Sequence, residues 1–164
     1  MKSKNNSIFL VVSIICFIGA AIFISLFIFS KRGQKNEETS ENNDSFISIM
    51  TKEGDEIKIE VEYAETPDEW SYGLMSRISM NENFGMLFIF PIEENRTFWM
   101  KNTLISLDIL YIDSNKKIVS IARNTKTNQT DEVYPSLFPS LYVLEVNGGF
   151  CEKNSIQEGD QVKL

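Results

Sequence analysis

The sequence predicts a mainly β domain, an antiparallel β-sandwich or barrel with one or two short helices, preceded by an N-terminal transmembrane helix. Three observations carry this expectation. Seven or eight short runs after residue 45 are rich in Ile, Val, Leu, Phe and Tyr and are bounded by turn residues, as strands are. Only two brief stretches carry helix signals. A run of 22 uncharged residues, Ile8 to Phe29, stands apart from everything that follows.

That run, as a helix rising about 1.5 Å per residue, spans roughly 33 Å, the thickness of a bilayer core. Small residues at Gly19-Ala20-Ala21 offer a cleavage site, but the apolar run continues through Phe29, so an uncleaved anchor over residues 1–30 is expected. Lipidation at Cys16 is not, because Ile15 stands where a small residue is needed. Lys2 and Lys4 on one flank balance Lys31, Arg32 and Lys35 on the other, so charge hardly sets the orientation. The expected arrangement is a cytoplasmic amino terminus with the domain outside the cytoplasmic membrane. Residues 31–44, KRGQKNEETSENND, are too polar to bury a core and read as a flexible linker to a domain over 45–164.

Within the domain, Phe46 to Met50 and EIKIEVEYA, Glu56 to Ala64, are separated by KEGD and read as a half-buried hairpin. Thr66-Pro67-Asp68-Glu69 combines an N-cap, a proline at the first helical position and an acid three residues after the cap, predicting a helix from Pro67 to about Tyr72 that Gly73 ends. FGMLFIF, Phe84 to Phe90, is unbroken and apolar, suits a strand buried on both faces, and is expected to close at Pro91. Thr97 to Met100, Ser106 to Ile112 and Lys117 to Ala122 read as strands, the last two joined through a turn at residues 113–116. Leu141 to Val146, a short helix at Phe150 to Asn154 and a strand at Gln161 to Leu164 complete the chain. Arg123 to Ser140 shows no convincing periodicity and reads as a loop packed over one end of the sandwich.

Composition removes several function classes. The absence of histidine excludes Ser-His-Asp and Cys-His catalysis and any His-ligated metal. From residue 45 onward there are 11 Lys and Arg against 19 Asp and Glu, a net charge of −8, so no nucleic-acid partner is expected. Cys151 is the domain's single cysteine, cannot form an internal disulfide, and reads as a small buried apolar residue.

The stretches GLMSR (73–77), GMLFIF (85–90), FWMKNTLISLDILYID (98–113) and VLEVNGGFCEKNSIQEGDQV (143–162) together resemble the bacterial and archaeal family called domain of unknown function 192. The resemblance spans roughly Ile57 to Leu164. It implies a compact, jelly-roll-like β domain, often carried behind a signal peptide or membrane anchor, and implies no established reaction. Ser106 stands where members often carry proline, and Gly148 where an alanine commonly precedes the glycine.

Charged and amide groups set among hydrophobic runs are the candidate functional residues: Arg77, Trp99, Lys101, Asn102, Asp108 and Glu145. One reading is an internal network, Arg77 or Lys101 with Asp108 or Glu145, while Asn102 and Thr103 tie down a turn. The other is that some of these groups line a pocket beside Trp99 for a small polar or sugar-like ligand, with the 123–140 loop as a rim. A non-catalytic binding module without cofactor is the expectation. Two alternatives accompany it: a glycan-type hydrolase using Asp108 with Glu145, or Glu93 with Glu94, and a Cu(I) site of Met75, Met86 and Met100. The methionines read first as gap-filling core, and Asp108, Asp113, Asp131 and Glu132 follow no calcium-loop spacing.

Overall fold

The computed structural model describes residues 45–164; the expected transmembrane segment and linker lie outside the described residues. The elements are β1 Phe46–Met50, β2 Glu56–Ala64, α1 Pro67–Tyr72, β3 Phe84–Glu94, β4 Thr97–Met100, β5 Leu107–Ile112, β6 Ile118–Ala122, β7 Gln129–Pro135, β8 Ser140–Asn147, α2 Phe150–Lys153 and β9 Gln161–Lys163. Among the described residues no helix is long and apolar enough to cross a membrane.

Seven strands form one sheet in the order β6-β5-β8-β3-β2-β1-β9, and β4 pairs with β7 in a separate two-stranded ribbon. The sheet curls into a half-barrel, and an isolated bridge between Lys117 and Gln161 brings its first and last strands together. The domain is mainly β with two short helices, as expected. It is not wholly antiparallel, however, because β2 and β3 run parallel, pairing Val61 with Gly85 and Tyr63 with Leu87. The reason lies in the connection: parallel neighbours need a crossover rather than a tight turn, and residues 65–83 with α1 supply one.

Each strand's alternation divides its side chains between two cores. The concave face collects Ile47, Ile59, Leu87, Leu110, Leu144 and Val162 around α2, whose Phe150 and Cys151 plug one end. The other face gathers Met86, Phe88, Met100, Ile109, Tyr111 and Val143 beneath α1 and the β4–β7 ribbon. β3 and β5 contribute to both, which is why FGMLFIF and LDILYI lack polar alternation. Both cores are drawn from residues 47–162.

Two expectations are corrected here. β3 does not close at Pro91 but continues to Glu94, with a register break between Ile89 and Glu94 that accommodates the missing proline donor. Residues 123–140 are not wholly loop: β7 lies within them, pairing Tyr134 with Phe98 and Val133 with Trp99. Its mostly exposed side chains erase the hydrophobic alternation by which a strand is recognised, and Pro135 sits at its end, where an edge strand tolerates it.

Candidate functional site

α1 begins where the sequence says it should. The Thr66 hydroxyl accepts from the Glu69 amide at 3.4 Å, and the Glu69 carboxylate accepts from the Thr66 and Glu65 amides at 2.9 and 2.8 Å. This capping box fixes the helix start. One turn in, the Trp70 indole N–H donates to the Ala64 carbonyl at 2.9 Å, tying α1 to the end of β2. Gly73 then turns the chain with φ +48°, which favours glycine, and a Cβ there would stand close against the Phe88 ring at 3.3 Å.

Opposite α1, the turn after β4 closes with the Thr103 amide donating to the Met100 carbonyl at 3.2 Å. Asn102 occupies its positive-φ position at +54°, a conformation asparagine adopts more readily than most residues. The Asn102 carbonyl accepts from the Ser76 amide at 2.9 Å, so GLMSR and FWMKNT are laced together. Asn102 and Thr103 therefore do hold a turn.

Between α1 and β4 runs a cleft. Its wide part, about 340 Å³, is bordered by Pro67, Phe90, Asn95 and Arg96. Its deep end has a volume of about 20 Å³, room for one water-sized group, and is bordered by Gly73, Phe88, Thr103 and Glu145. Trp70, Ser71, Phe98 and Trp99 line both parts. The walls are a connected set of rings, with Trp70 4.9 Å from Phe90, and Phe88 edge-on to Phe98 at 5.1 Å. Arg96 stacks on Phe90 at 3.8 Å, while its buried Nε–H has no hydrogen-bond partner among the described residues.

Glu145 is the chemically unusual group. It lies on β8 between Met86 of β3 and Ile109 of β5, and is only 4 % exposed. Its Oε2 lies 3.8 Å from where a Cβ on Gly73 would stand. The carboxyl makes no hydrogen bond or ion pair among the described residues. Burial pushes it up to about 8, so near neutral pH it holds its proton. Burial, with the Glu145 charge second, also pushes the Tyr111 phenol far up.

Asp108 lies on the opposite face. It pairs with Val146 in the β5–β8 register, one residue out of phase with Glu145, so the two carboxylates point into different cores. Asp108 Oδ1 accepts from the Asn124 and Gly149 amides at 2.8 and 3.2 Å, and Oδ2 from the Cys151 amide at 2.9 Å. These bonds cap α2, whose own N-cap, Gly149, has no side chain to do so. Next to this carboxylate the Cys151 thiol is pushed far up, first by burial and then by the Asp108 charge, which leaves it an unreactive core residue.

The expected ion pairs with Asp108 or Glu145 do not form. Arg77 pairs with Glu62 and lies 5.8 Å from the Phe84 ring, while Lys101 is exposed above Trp99 at 5.1 Å from its ring. Of the six residues singled out in the sequence, Trp99 and Glu145 line the cleft, Lys101 and Asn102 flank it, and Arg77 and Asp108 face elsewhere. Glu93 is held by Ser114, and Glu94 pairs with Arg96. Met86 and Met100 are buried in the outer core, and Met75 borders the deep end. Sequence reasoning missed Trp70, Gly73, Phe88, Phe98 and Arg96. The tryptophan, half-buried on a helix of six residues whose other side chains are exposed, is the signal the chain offered.

The four stretches that carried the resemblance thus meet at one place: Gly73, Phe88, Phe98 with Trp99 and Thr103, and Glu145 come one set from each. A Sinorhizobium meliloti 1021 protein described as a candidate transcription regulator is 33 % identical, with a TM-score of 0.70 over 72 % of this chain and 91 % of that one. A Novosphingobium aromaticivorans DSM 12444 protein of unknown function is 32 % identical, with a TM-score of 0.69 over 73 % and 84 %. No curated protein matches the chain. Residues 48–164 match the model of DUF192, described as an uncharacterized ACR, and the chain belongs to that family.

Proposed function

We propose that this domain is a non-catalytic binding module that holds a small polar or sugar-like ligand in the cleft between α1 and β4, outside the cytoplasmic membrane to which residues 1–30 anchor it. The observation that carries the reading is the Glu145 carboxyl, buried, without a partner among the described residues, at the floor of an aromatic-walled cleft. A buried polar group normally finds a partner within the fold, and a ligand is what would supply one here. Exposed apolar area on Trp99, with Arg96 and Asn95 at the wide end, suits a ligand with one flat face and several hydroxyls.

A binding role is favoured over hydrolysis because no second carboxylate lines the cleft among the described residues, whereas glycoside hydrolysis generally requires a facing pair. The acidic domain surface favours a small molecule over nucleic acid. The test is a thermal-shift screen of the full chain in detergent against neutral sugars, amino sugars, nucleotides and Cu(I). A rise of several degrees with a sugar-like compound, lost in Trp99→Ala, supports the reading. A rise with Cu(I) alone would overturn it in favour of the methionines.

A further inference from the structure

We infer that the deep end of the cleft takes the primary ammonium group of its ligand, which displaces the proton of Glu145, so that the ligand is a small polar amine of the amino-sugar kind. This rests on the binding role proposed above and names its chemistry. Four features converge on it.

The first is the unmet carboxyl itself, whose remaining options are to donate to a ligand oxygen as an acid or to pair with a ligand cation as an anion. The second is the wall. Trp70, Phe88, Phe98 and Trp99 surround the same space, and aromatic π-faces attract cations while offering little to a hydroxyl. The third is size: about 20 Å³ admits a group the size of a water molecule, which an –NH₃⁺ is and a trimethylammonium is not. The fourth is that no lysine or arginine borders the deep end among the described residues, Arg96 standing in the wide part and paired with Glu94. Arg77 is committed to Glu62, and Lys101 stands outside, above Trp99. The titratable groups facing Glu145 are the Tyr111 phenol from β5 and the Tyr72 phenol at the rim; Met86 and Ile109 flank it.

The exchange balances simply. Protonated Glu145 meets R–NH₃⁺, the carboxyl proton leaves to solvent, and a carboxylate–ammonium pair remains. Burial holds that proton up to about pH 8 in the empty site, so binding at pH 6 releases it. The rest of the ligand lies in the wide part, bordered by Asn95, Arg96 and Thr97. The domain's net charge of −8 draws cations towards it.

Titration calorimetry of the detergent-solubilised full chain tests this, with glucosamine, ethanolamine, glucose, N-acetylglucosamine and choline at pH 6 in two buffers of different ionisation enthalpy. The expected result is binding of glucosamine and ethanolamine with release of close to one proton each, and at least tenfold weaker binding of glucose, N-acetylglucosamine and choline. Glu145→Gln, which keeps the shape of the side chain, should weaken glucosamine at least tenfold and abolish proton release while the melting curve stays cooperative. Glucose binding as tightly as glucosamine without proton release overturns the ammonium assignment and leaves the polar-ligand reading standing. Choline equal to ethanolamine overturns the size argument and the inference with it. If none of the five binds, both the inference and the sugar-like reading fall.

Discussion

At the scale of single residues, two carboxylates in similar apolar runs have opposite roles. Glu145 is raised from 4.5 to about 8. Below about 4.5 it is protonated in folded and unfolded chains alike. Between there and about 8 the unfolded chain gives up the proton and the folded one keeps it, so stability falls as pH rises; above about 8 the loss is complete. The slope is at most about 1.4 kcal/mol per pH unit, roughly a few kcal/mol in all. Glu145→Gln should therefore match the parent in urea unfolding at pH 4 and exceed it by about 2 kcal/mol or more at pH 8. Equal midpoints at pH 8 would show that the carboxyl is not strained by burial. Asp108 has a structural role, its oxygens accepting from three backbone amides. In Asp108→Asn one amide must face an NH₂ group, and a loss of about 2–3 kcal/mol is expected, read from the same urea curves. A change below about 0.5 kcal/mol would remove Asp108 as the cap of α2.

At the scale of elements, the cleft depends on a short helix and a two-stranded ribbon, neither of which could stand alone. A helix of six residues lies far below the length at which isolated helices persist, and a lone hairpin-like ribbon is marginal in water. Tertiary contacts hold both. α1 is pinned by its capping box and by Trp70 on Ala64, and β4 by Phe98 packed edge-on to Phe88 and Tyr111. Replacing Thr66 with Ala removes one side of the capping box and should cost about 1 kcal/mol of stability. Because α1 forms one wall, the same change should raise hydrogen exchange at residues 66–72 and leave β5 and β8 protected. Uniformly faster exchange across the domain would mean that the helix does not open on its own.

At the scale of the whole molecule, one sheet carries two cores and thereby separates structure from site: the concave core is sealed by α2, while the outer core opens to the cleft. The orientation proposed for the chain makes the cleft accessible from outside the cell. Alkaline phosphatase fused after Leu164 should then be active and β-galactosidase fused at the same point inactive; the reverse pattern would place the domain in the cytoplasm. Much of this organisation is legible in the sequence because it follows from local rules. Strand positions follow from runs of branched and aromatic residues, α1 from Thr66-Pro67-Asp68-Glu69, and the unreactive character of Cys151 from its lack of a histidine partner. The concentration of chemistry around FWMKNT and VLEV is local in the same sense. What only the tertiary structure decided is which of these groups share a face. Period-two alternation says that Asp108 and Glu145 each point away from their neighbours, but the face each one meets depends on the register of β5 against β8, and a shift of one residue would put both on the same face. Pairing is a long-range choice made by core packing and the crossover through α1, and no local pattern in the chain records it.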